Sequence, residues 1–442
     1  MNDVILGLGS NIGDRLENLR AAFSRIKHIS GVQVKQHSPL YISDALLPDN
    51  APASWDQPHI NFALVCTTSL SPIDLLAELK KIETALGRPT EKQRWSPRLI
   101  DIDILAYGEE TIKTDVLTIP HPGLTERPFA LWPLADLMPF WMHPVLEKTA
   151  AELVEVWGSR FDAAAPLHTR QLNQRLEGSR LMGIINITPD SFSDGGLYLQ
   201  TDTAVQHALE LMEAGAEILD LGAESTAPTA EALDAETEWQ RLEPILSVIK
   251  SAQFLIPPKI SIDTRHPETA MRALAMGIDW INDVSGLDHP DMRELVAASG
   301  KDCVVMHHLN IPQRAAVALP RDQNAVDIVY RWGEERISQL EKTGIKREKI
   351  IFDPGIGFGK FAEQSLALIQ QSHIFKQLGV RLLIGHSRKR FLSLLTGNTL
   401  QERDIETMML SVFLDKQGID YLRVHNVKIN SQGLRNTSHR MK

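Results

Sequence analysis

What most constrains this chain is a rhythm in its second half. From residue 180 onward, short apolar runs recur at 180–188, 216–222, 258–264, 279–284, 302–308, 349–353, 381–386 and 420–426. Stretches with the apolar spacing of amphipathic helices separate them, at 203–214, 235–251, 267–276, 291–299, 322–343, 363–378 and 401–417. Parallel strands buried on both faces read as unbroken apolar runs, and each needs a crossover element to reach the next. Eight such units predict a closed (β/α)8 TIM barrel rather than an open sheet. The polar stretch 427–442 predicts an eighth helix cut short to a single turn.

A chain of 442 residues is too long for one ordinary core. Residues 159–179 lack sustained apolar periodicity and hold a small-residue run, a proline and several charges, which predicts a linker. That leaves an N-terminal domain over 1–158 and the barrel over 180–442. In the first domain strands at 4–10, 59–69 and 98–107 and helices at 14–28 and 72–86 alternate without the βα beat. This order predicts a ferredoxin-like α+β sandwich. With 43% hydrophobic and 23% charged residues the composition is that of a globular protein, and no apolar run reaches membrane-spanning length. A net charge of −10 argues against nucleic acid as the main partner but leaves room for small phosphorylated substrates. The N-terminus, MNDVILGLGS, reads as a strand rather than a targeting segment, so a cytoplasmic location is expected. The two cysteines, Cys66 and Cys303, are expected as buried free thiols.

In a closed parallel barrel the chemistry sits where the strands end. Polar residues collect there: Asn186, Glu224, Asp263, Asn282 and Asp283, His307, Asp353, Ser387, Arg388 and Lys389, Arg423 and His425. Carboxylates and cations converging on one rim predict a binding site. The Gly-, Pro- and Ser-containing segments 188–196 and 224–232 leave the same rim and suit lids. His307 and His308 are neighbours on a strand and face opposite ways, which argues against a zinc pair.

In the first domain the informative stretch is RWSPRLIDIDILAY (94–107). On a strand, Asp101 and Asp103 share one face, with Cα atoms roughly 6.5 Å apart, while Ile100, Ile102 and Ile104 face a core. Two carboxylates at that spacing suit a pair of Mg²⁺ ions. Arg88, Lys92, Arg94, Arg98 and Arg127 supply the cations that polyphosphate transfer uses. GLGSNIG (7–13) matches neither the dinucleotide fingerprint nor the phosphate loop with its lysine.

The barrel half carries MGIINITPDSFSDGG (182–196), DLGAEST (220–226), SIDTR (261–265), INDVSG (281–286), DPGIGFGK (353–360), HSRK (386–389) and RVHNV (423–427). In these seven motifs it resembles the dihydropteroate synthase family. The resemblance implies that Asp353 accepts hydrogen bonds from the pterin, with Asp263, Asn282 and Lys389 completing the pocket. Arg423, His425 and Asn186 would hold the pyrophosphate leaving group, Asn186 through Mg²⁺. Ser387, the Arg388 backbone, Thr226 and Phe358 would frame p-aminobenzoate. The implied reaction is a dissociative substitution at the pterin methylene that needs no nucleophilic side chain. A homodimer through the barrel is a further implication.

Residues 1 to about 158 carry GSNIGD (9–14), DQPHIN (56–61), RWSPRLIDIDIL (94–105) and IPHPGLTERPFALWPL (119–134). They resemble 6-hydroxymethyl-7,8-dihydropterin pyrophosphokinase. By that likeness Asp101 and Asp103 bind the metals, and Arg88 and Arg98 help the transferred group. His121 and Arg127, with Arg98, contact ATP. Asn61 and Phe129 hold the pterin, and Trp95 belongs to a catalytic loop. The two resemblances together imply a bifunctional enzyme of folate synthesis that uses ATP and Mg²⁺. The chain departs from the patterns at Lys80, Thr90, Ala227 and Asn426 and over residues 41–55. The alternatives are a pterin-binding methyltransferase barrel, or an active kinase domain fused to a pterin-binding barrel with weak or lost synthase activity.

Overall fold

The computed structural model describes residues 1–88, 95–157, 170–187, 196–224, 232–311, 317–393 and 403–438. The chain divides into two compact units, Met1–Glu177 and Gly178–Lys442. Among the described residues no helix is long and apolar enough to cross a membrane.

The first unit is built on strands β1 (Asn2–Ser10), β2 (Val32–His37), β3 (Tyr41–Ser43), β4 (His59–Thr68), β5 (Asp101–Tyr107) and, beyond the short β6 (Ile112–Lys113) and β7 (Thr118–Ile119), β8 (Arg170–Gln171). The sheet order is β5-β1-β4-β3-β8, with β2 also paired to β4. Residues 170–177, read from sequence as linker, therefore belong to this unit, because Gln171 and Arg170 pair with Tyr41 and Ile42.

Alternation divides the two faces of this sheet. Leu8 is opposite Phe62 and Ile102, and Leu6 is opposite Leu64 and Ile104. On that face helix α1 (Arg15–Ile26) buries Leu16, Leu19, Phe23 and Ile26, and Phe23 meets Phe62 edge-on at 6.3 Å. Asp14 caps this helix by accepting the Glu17 N–H. Helix α2 (Pro72–Ala85) starts at Ser71, whose hydroxyl accepts from the Asp74 N–H. The opposite face carries Ile5 and Leu105 at one end, covered by helices α3 (Pro128–Leu137) and α4 (Ala150–Val154). At the other end it carries glycines and carboxylates.

The second unit closes eight parallel strands into a barrel: β9 (Arg180–Asn186), β10 (Ala216–Gly222), β11 (Lys259–Asp263), β12 (Trp280–Asp283), β13 (Asp302–Met306), β14 (Ile350–Asp353), β15 (Arg381–Ile384) and β16 (Tyr421–Val424). Helices α5 (Gly196–Glu213), α6 (Ala235–Ser251), α7 (Pro267–Ala275), α8 (Pro290–Ser299), α9 (Ala325–Lys342), α10 (Ala362–Gln370) and α11 (Asp404–Lys416) connect them. Inside, Met182, Ile218, Trp280, Val304, Ile351, Leu383 and Tyr421 form an apolar plug, with Trp280 and Tyr421 packed edge-to-face at 4.8 Å. Outward-facing strand residues such as Leu219, Ile262, Val305 and Phe352 join the helices in the larger core.

The single turn expected after the last strand is instead a twelve-residue helix, α12 (Val427–Ser438). Its buried stripe runs Val427, Asn430, Ser431, Leu434, so half of it is polar and looked solvent-exposed in the sequence. Ser411 donates to Asn430 Oδ1 at 2.6 Å, which makes that polar burial tolerable. The helix expected over 363–378 ends at Gln370 and continues as a 3-10 segment over Ser372–Leu378. Cys66 and Cys303 are buried and unpaired, one in each unit.

Candidate active sites

In the first unit, Asp101, Gly9 and Asn61 lie side by side across β5, β1 and β4, and Asp103 lies beside Gly7 in an adjacent row. The glycines leave the floor bare between the acids and the amide. A Cβ on Gly9 would stand 2.7 Å from Asn61 Oδ1. Above this floor opens a cleft of about 310 Å³. Asn61, Arg88, Trp95, Arg98, Asp101, Asp103, His121, Arg127 and Phe129 all line it, so the sequence-derived residues of this domain converge on one place.

The acids and cations there are interlocked. Arg88 donates to Asp101 Oδ1 at 2.5 Å and Arg98 to Oδ2 at 2.9 Å. Burial works against the Asp101 charge, yet Arg98 and Arg88 hold its carboxyl below the ordinary value. Among the described residues no guanidinium forms an ion pair with Asp103, whose Oδ2 lies 3.9 Å from His121 Nε2. Burial, and then the charge of Asp101, push Asp103 up to about 6. His121 is depressed to about 4, by burial and then by Arg127, and so is neutral near pH 7.

Sequence reading missed Glu83. It is 1% exposed, pairs with Arg88, accepts from Lys80 at 2.8 Å and accepts the Ile102 N–H at 2.8 Å. Its signal was present: Leu75, Leu79 and Ile82 set the buried stripe of α2, and Glu83 falls on that stripe rather than opposite it. Lys80, noted above only as a departure, lines the cleft beside the two aspartates.

In the second unit the inward positions just above the apolar plug are polar. Asn282 is two residues beyond Trp280, Asp353 two beyond Ile351 and Arg423 two beyond Tyr421, so the strand repeat points them into the barrel. Asp263 Oδ2 accepts from Arg423 at 2.8 Å. Burial raises the Asp263 carboxyl to about 7 against the opposing pull of Arg423. Asp353 Oδ1 accepts the Gly355 N–H at 2.7 Å, and burial raises its carboxyl too. Lys389 donates to the Ile356 carbonyl and stands 4.6 Å over the Phe358 ring; burial lowers its ammonium to about 8. The His425 N–H donates to Ser387 Oγ at 3.2 Å, with Nδ1 3.0 Å from the same oxygen. Burial, then Arg423 and Arg388, depress His425 to about 3. Asn186 is exposed at the end of β9. Thr226, Ala227, Thr90, Lys92, Arg94 and most of both lids lie outside the described residues.

The fully buried Asp220 was missed. Its carboxylate accepts from Arg423 Nε at 2.6 Å, Ser261 Oγ at 2.5 Å and Asn282 Nδ2 at 3.1 Å. A charged residue inside the apolar strand AEILDLG was the available cue. Conversely, three of the rim residues turn away from the ring. Glu224 is spanned by both arms of Arg265, at 2.9 and 2.8 Å. Asp283 accepts from the Ser285 N–H and hydroxyl. His307 Nδ1 meets the buried Lys360 ammonium at 2.9 Å, whereas His308 meets Asp288, so the two histidines have separate partners. Lys360 also donates to the carbonyls of Gly355 and Phe358 and thereby shapes the loop after Asp353. Gly355 has φ +67°, and a Cβ there would lie 1.9 Å from the His307 carbonyl oxygen.

Comparison with known proteins follows the same division. The family model for 7,8-dihydro-6-hydroxymethylpterin-pyrophosphokinase matches residues 5–139, and that for pterin binding enzymes matches residues 182–425. The chain is 39% identical over 436 residues to a folate synthesis bifunctional protein of Chlamydia caviae, covering 98% of this chain and 96% of that one. It is 34% identical over 470 residues to one of Arabidopsis thaliana, covering 98% and 95%. Among solved structures it is similar to dihydropteroate synthase of Anaplasma phagocytophilum with bound 6-hydroxymethylpterin-monophosphate (TM-score 0.54, 37% identity, 59% of this chain and 99% of that one). It is likewise similar to the Xanthomonas albilineans synthase with 4-aminobenzoic acid (TM-score 0.55, 35% identity, 60% and 95%).

Proposed function

The chain belongs to the family of folate synthesis bifunctional proteins, a pterin pyrophosphokinase joined to a dihydropteroate synthase, and from that premise we propose how its residues divide the work. The match over both halves lends no support to a barrel with weak or lost synthase activity. In the first cleft ATP is the pyrophosphoryl donor and 6-hydroxymethyl-7,8-dihydropterin the acceptor. Asp101 and Asp103 offer hard carboxylate oxygens on one face, the donor type Mg²⁺ takes. Bound there, Mg²⁺ supplies charge neutralisation at the phosphates. Arg88 and Arg98 stabilise the group in flight, His121 and Arg127 hold the nucleotide, and Trp95 belongs to the catalytic loop. Asn61 and Phe129 orient the pterin.

In the barrel, Asp353 accepts from the pterin amino-pyrimidinone edge, with Asn282, Asp263 and Lys389 around the ring. Burial and the charges of Arg423 and Arg388 disfavour an imidazolium at His425, which offers the leaving pyrophosphate a ring N–H beside the permanent charge of Arg423. Asn186 offers one amide oxygen, sufficient to steer a Mg²⁺ carried in by phosphates. Ser387, the Arg388 backbone, Thr226 and Phe358 receive p-aminobenzoate, whose amine attacks the pterin methylene as pyrophosphate departs. The observation that carries this reading is the convergence on one cleft of the nine sequence-derived kinase residues that are described, in a chain whose other half is a synthase-like barrel.

Incubation with ATP, Mg²⁺, hydroxymethyldihydropterin and p-aminobenzoate tests it by mass spectrometry. AMP and dihydropteroate are expected; AMP without dihydropteroate refutes the synthase half. Replacing Asp101 and Asp103 by Ala stops AMP release but spares the synthase step when pterin pyrophosphate is supplied. Ile405, Met409 and Phe413, exposed by 58, 63 and 40% along one face of α11, support a homodimer through the barrel, which sedimentation velocity tests. The unpaired Cys66 and Cys303 suit a reducing, cytoplasmic setting.

A further inference from the structure

The backbone at Arg388 needs a restraint. It sits at φ +58°, a left-handed conformation that costs a side-chain-bearing residue on the order of 1–2 kcal/mol. The restraint comes from the starts of two helices. From α11, Thr407 Oγ1 accepts the Arg388 N–H at 3.2 Å, and Asp404 grips the Arg388 guanidinium through both oxygens, at 2.7 and 2.9 Å. From the start of α12, Asn426 Nδ2 donates to Asp404 Oδ2 at 2.8 Å, while Asn426 Oδ1 accepts the Ile429 N–H at 3.2 Å. One carboxylate thus ties together a turn and two helix starts. Ser387, the neighbour of Arg388 in this turn, is held on its other side by His425, the neighbour of Asn426.

This arrangement gives a physical reason for Asn426, one of the departures from the family pattern in the sequence. An aspartate there would set a second carboxylate against Asp404 and remove the amide donor that now joins them. The carboxylate that faces Arg388 is supplied by α11, and position 426 must then donate.

We infer that Asp404 and Asn426 are a coupled pair of positioning residues that fix the Ser387–Arg388 turn and thereby set how well the barrel holds p-aminobenzoate. The inference rests on the synthase reading above. Burial opposes the Asp404 charge, but the bonds from Arg388 and Asn426 hold its carboxyl below the ordinary value, so the clamp is ionised at neutral pH.

The test is steady-state kinetics of the full chain supplied with pterin pyrophosphate, comparing wild type with D404N, N426D and the exchange D404N/N426D. D404N turns an amide N–H toward donors, and N426D opposes two carboxylates; each raises KM for p-aminobenzoate about tenfold, about 1.4 kcal/mol. KM for pterin pyrophosphate rises less than that for p-aminobenzoate: Asp353 and Asn282 lie on other strands, and only Lys389 and His425 adjoin the pair. The exchange restores one charge and one donor to the trio and returns KM to within about threefold of wild type, well short of additive damage. Thermal melting identifies variants that merely misfold. Single variants with an unchanged p-aminobenzoate KM, an additive double variant, or equal losses in both KM values overturn the inference. A wild-type chain that makes no dihydropteroate refutes the synthase reading itself, and this inference with it.

Discussion

Asp220→Asn probes the polar layer above the barrel plug. Three donors converge on that carboxylate, from Arg423 at 2.6 Å, Ser261 at 2.5 Å and Asn282 at 3.1 Å. An asparagine can keep its oxygen toward Arg423 Nε and Asn282 Nδ2 and turn its NH₂ toward the Ser261 hydroxyl, so what the change removes is the charge paired with Arg423. Removing one partner from a buried ion pair typically costs about 3–5 kcal/mol. The low end applies here, because Arg423 is 22% exposed and keeps Asp263 at 2.8 Å. At about 3 kcal/mol, and about 2–4 °C per kcal/mol for a domain of this size, the barrel's transition falls by roughly 6–12 °C. Differential scanning calorimetry of the full chain reads this directly. The loss is also expected in turnover, since the same carboxylate orients Arg423 and Asn282. A barrel transition lowered by less than about 2 °C would refute the argument that Asp220 is the hub of the layer.

Three further outcomes follow from local geometry. Gly355→Ala places a Cβ 1.9 Å from the His307 carbonyl and forces a left-handed alanine, at a combined cost of about 3 kcal/mol, whereas Gly300→Ala, with open space around it, costs about 1; denaturant titration of both separates clash from conformation. Glu224 has a carboxyl held down to about 2, because bonds from His266, Arg265 and the Leu233 N–H outweigh its burial. Between pH 4.5 and 2 the unfolded chain therefore binds a proton that the native chain does not, so this stabilisation is full above pH 4.5 and is lost as pH falls. Glu224→Gln flattens that part of an acid-unfolding curve; an unaltered slope rejects the pair as a stabiliser. Gly9→Ala displaces the Asn61 amide from 2.7 Å, and is expected to raise the kinase KM for the pterin about tenfold with the ATP KM unchanged, about 1.4 kcal/mol.

The barrel was readable from sequence because strands buried on both faces leave unbroken apolar runs. The kinase carboxylates were readable for the opposite reason, the alternation of Asp101 and Asp103 with Ile102 and Ile104. Elements that break either pattern stayed hidden. β2, VQVKQH, is half-exposed and largely polar, and β3 is only three residues long. Helix α12 buries Asn430 and Ser431 where a pattern reader looks for apolar side chains. Asp220 and Glu83 escaped because a charge within a buried stripe has meaning only when its partners, distant in sequence, are seen around it. The rim was over-read: Glu224, Asp283 and His307 end their strands with polar groups but spend them on neighbouring loops.

The apolar plug of Met182, Ile218, Trp280, Val304, Ile351, Leu383 and Tyr421 makes the barrel a well with a sealed bottom and a single mouth. Asn282 and Asp353 lie one inward step above that seal, whereas Ser387 is four residues beyond Leu383, nearer the opening. Whatever binds deep must arrive before whatever binds shallow, and the joined product must leave before the next deep ligand descends. On the proposed reading the deep ligand is pterin pyrophosphate and the shallow one p-aminobenzoate, so pterin pyrophosphate is expected to bind first, and excess p-aminobenzoate is expected to slow its entry.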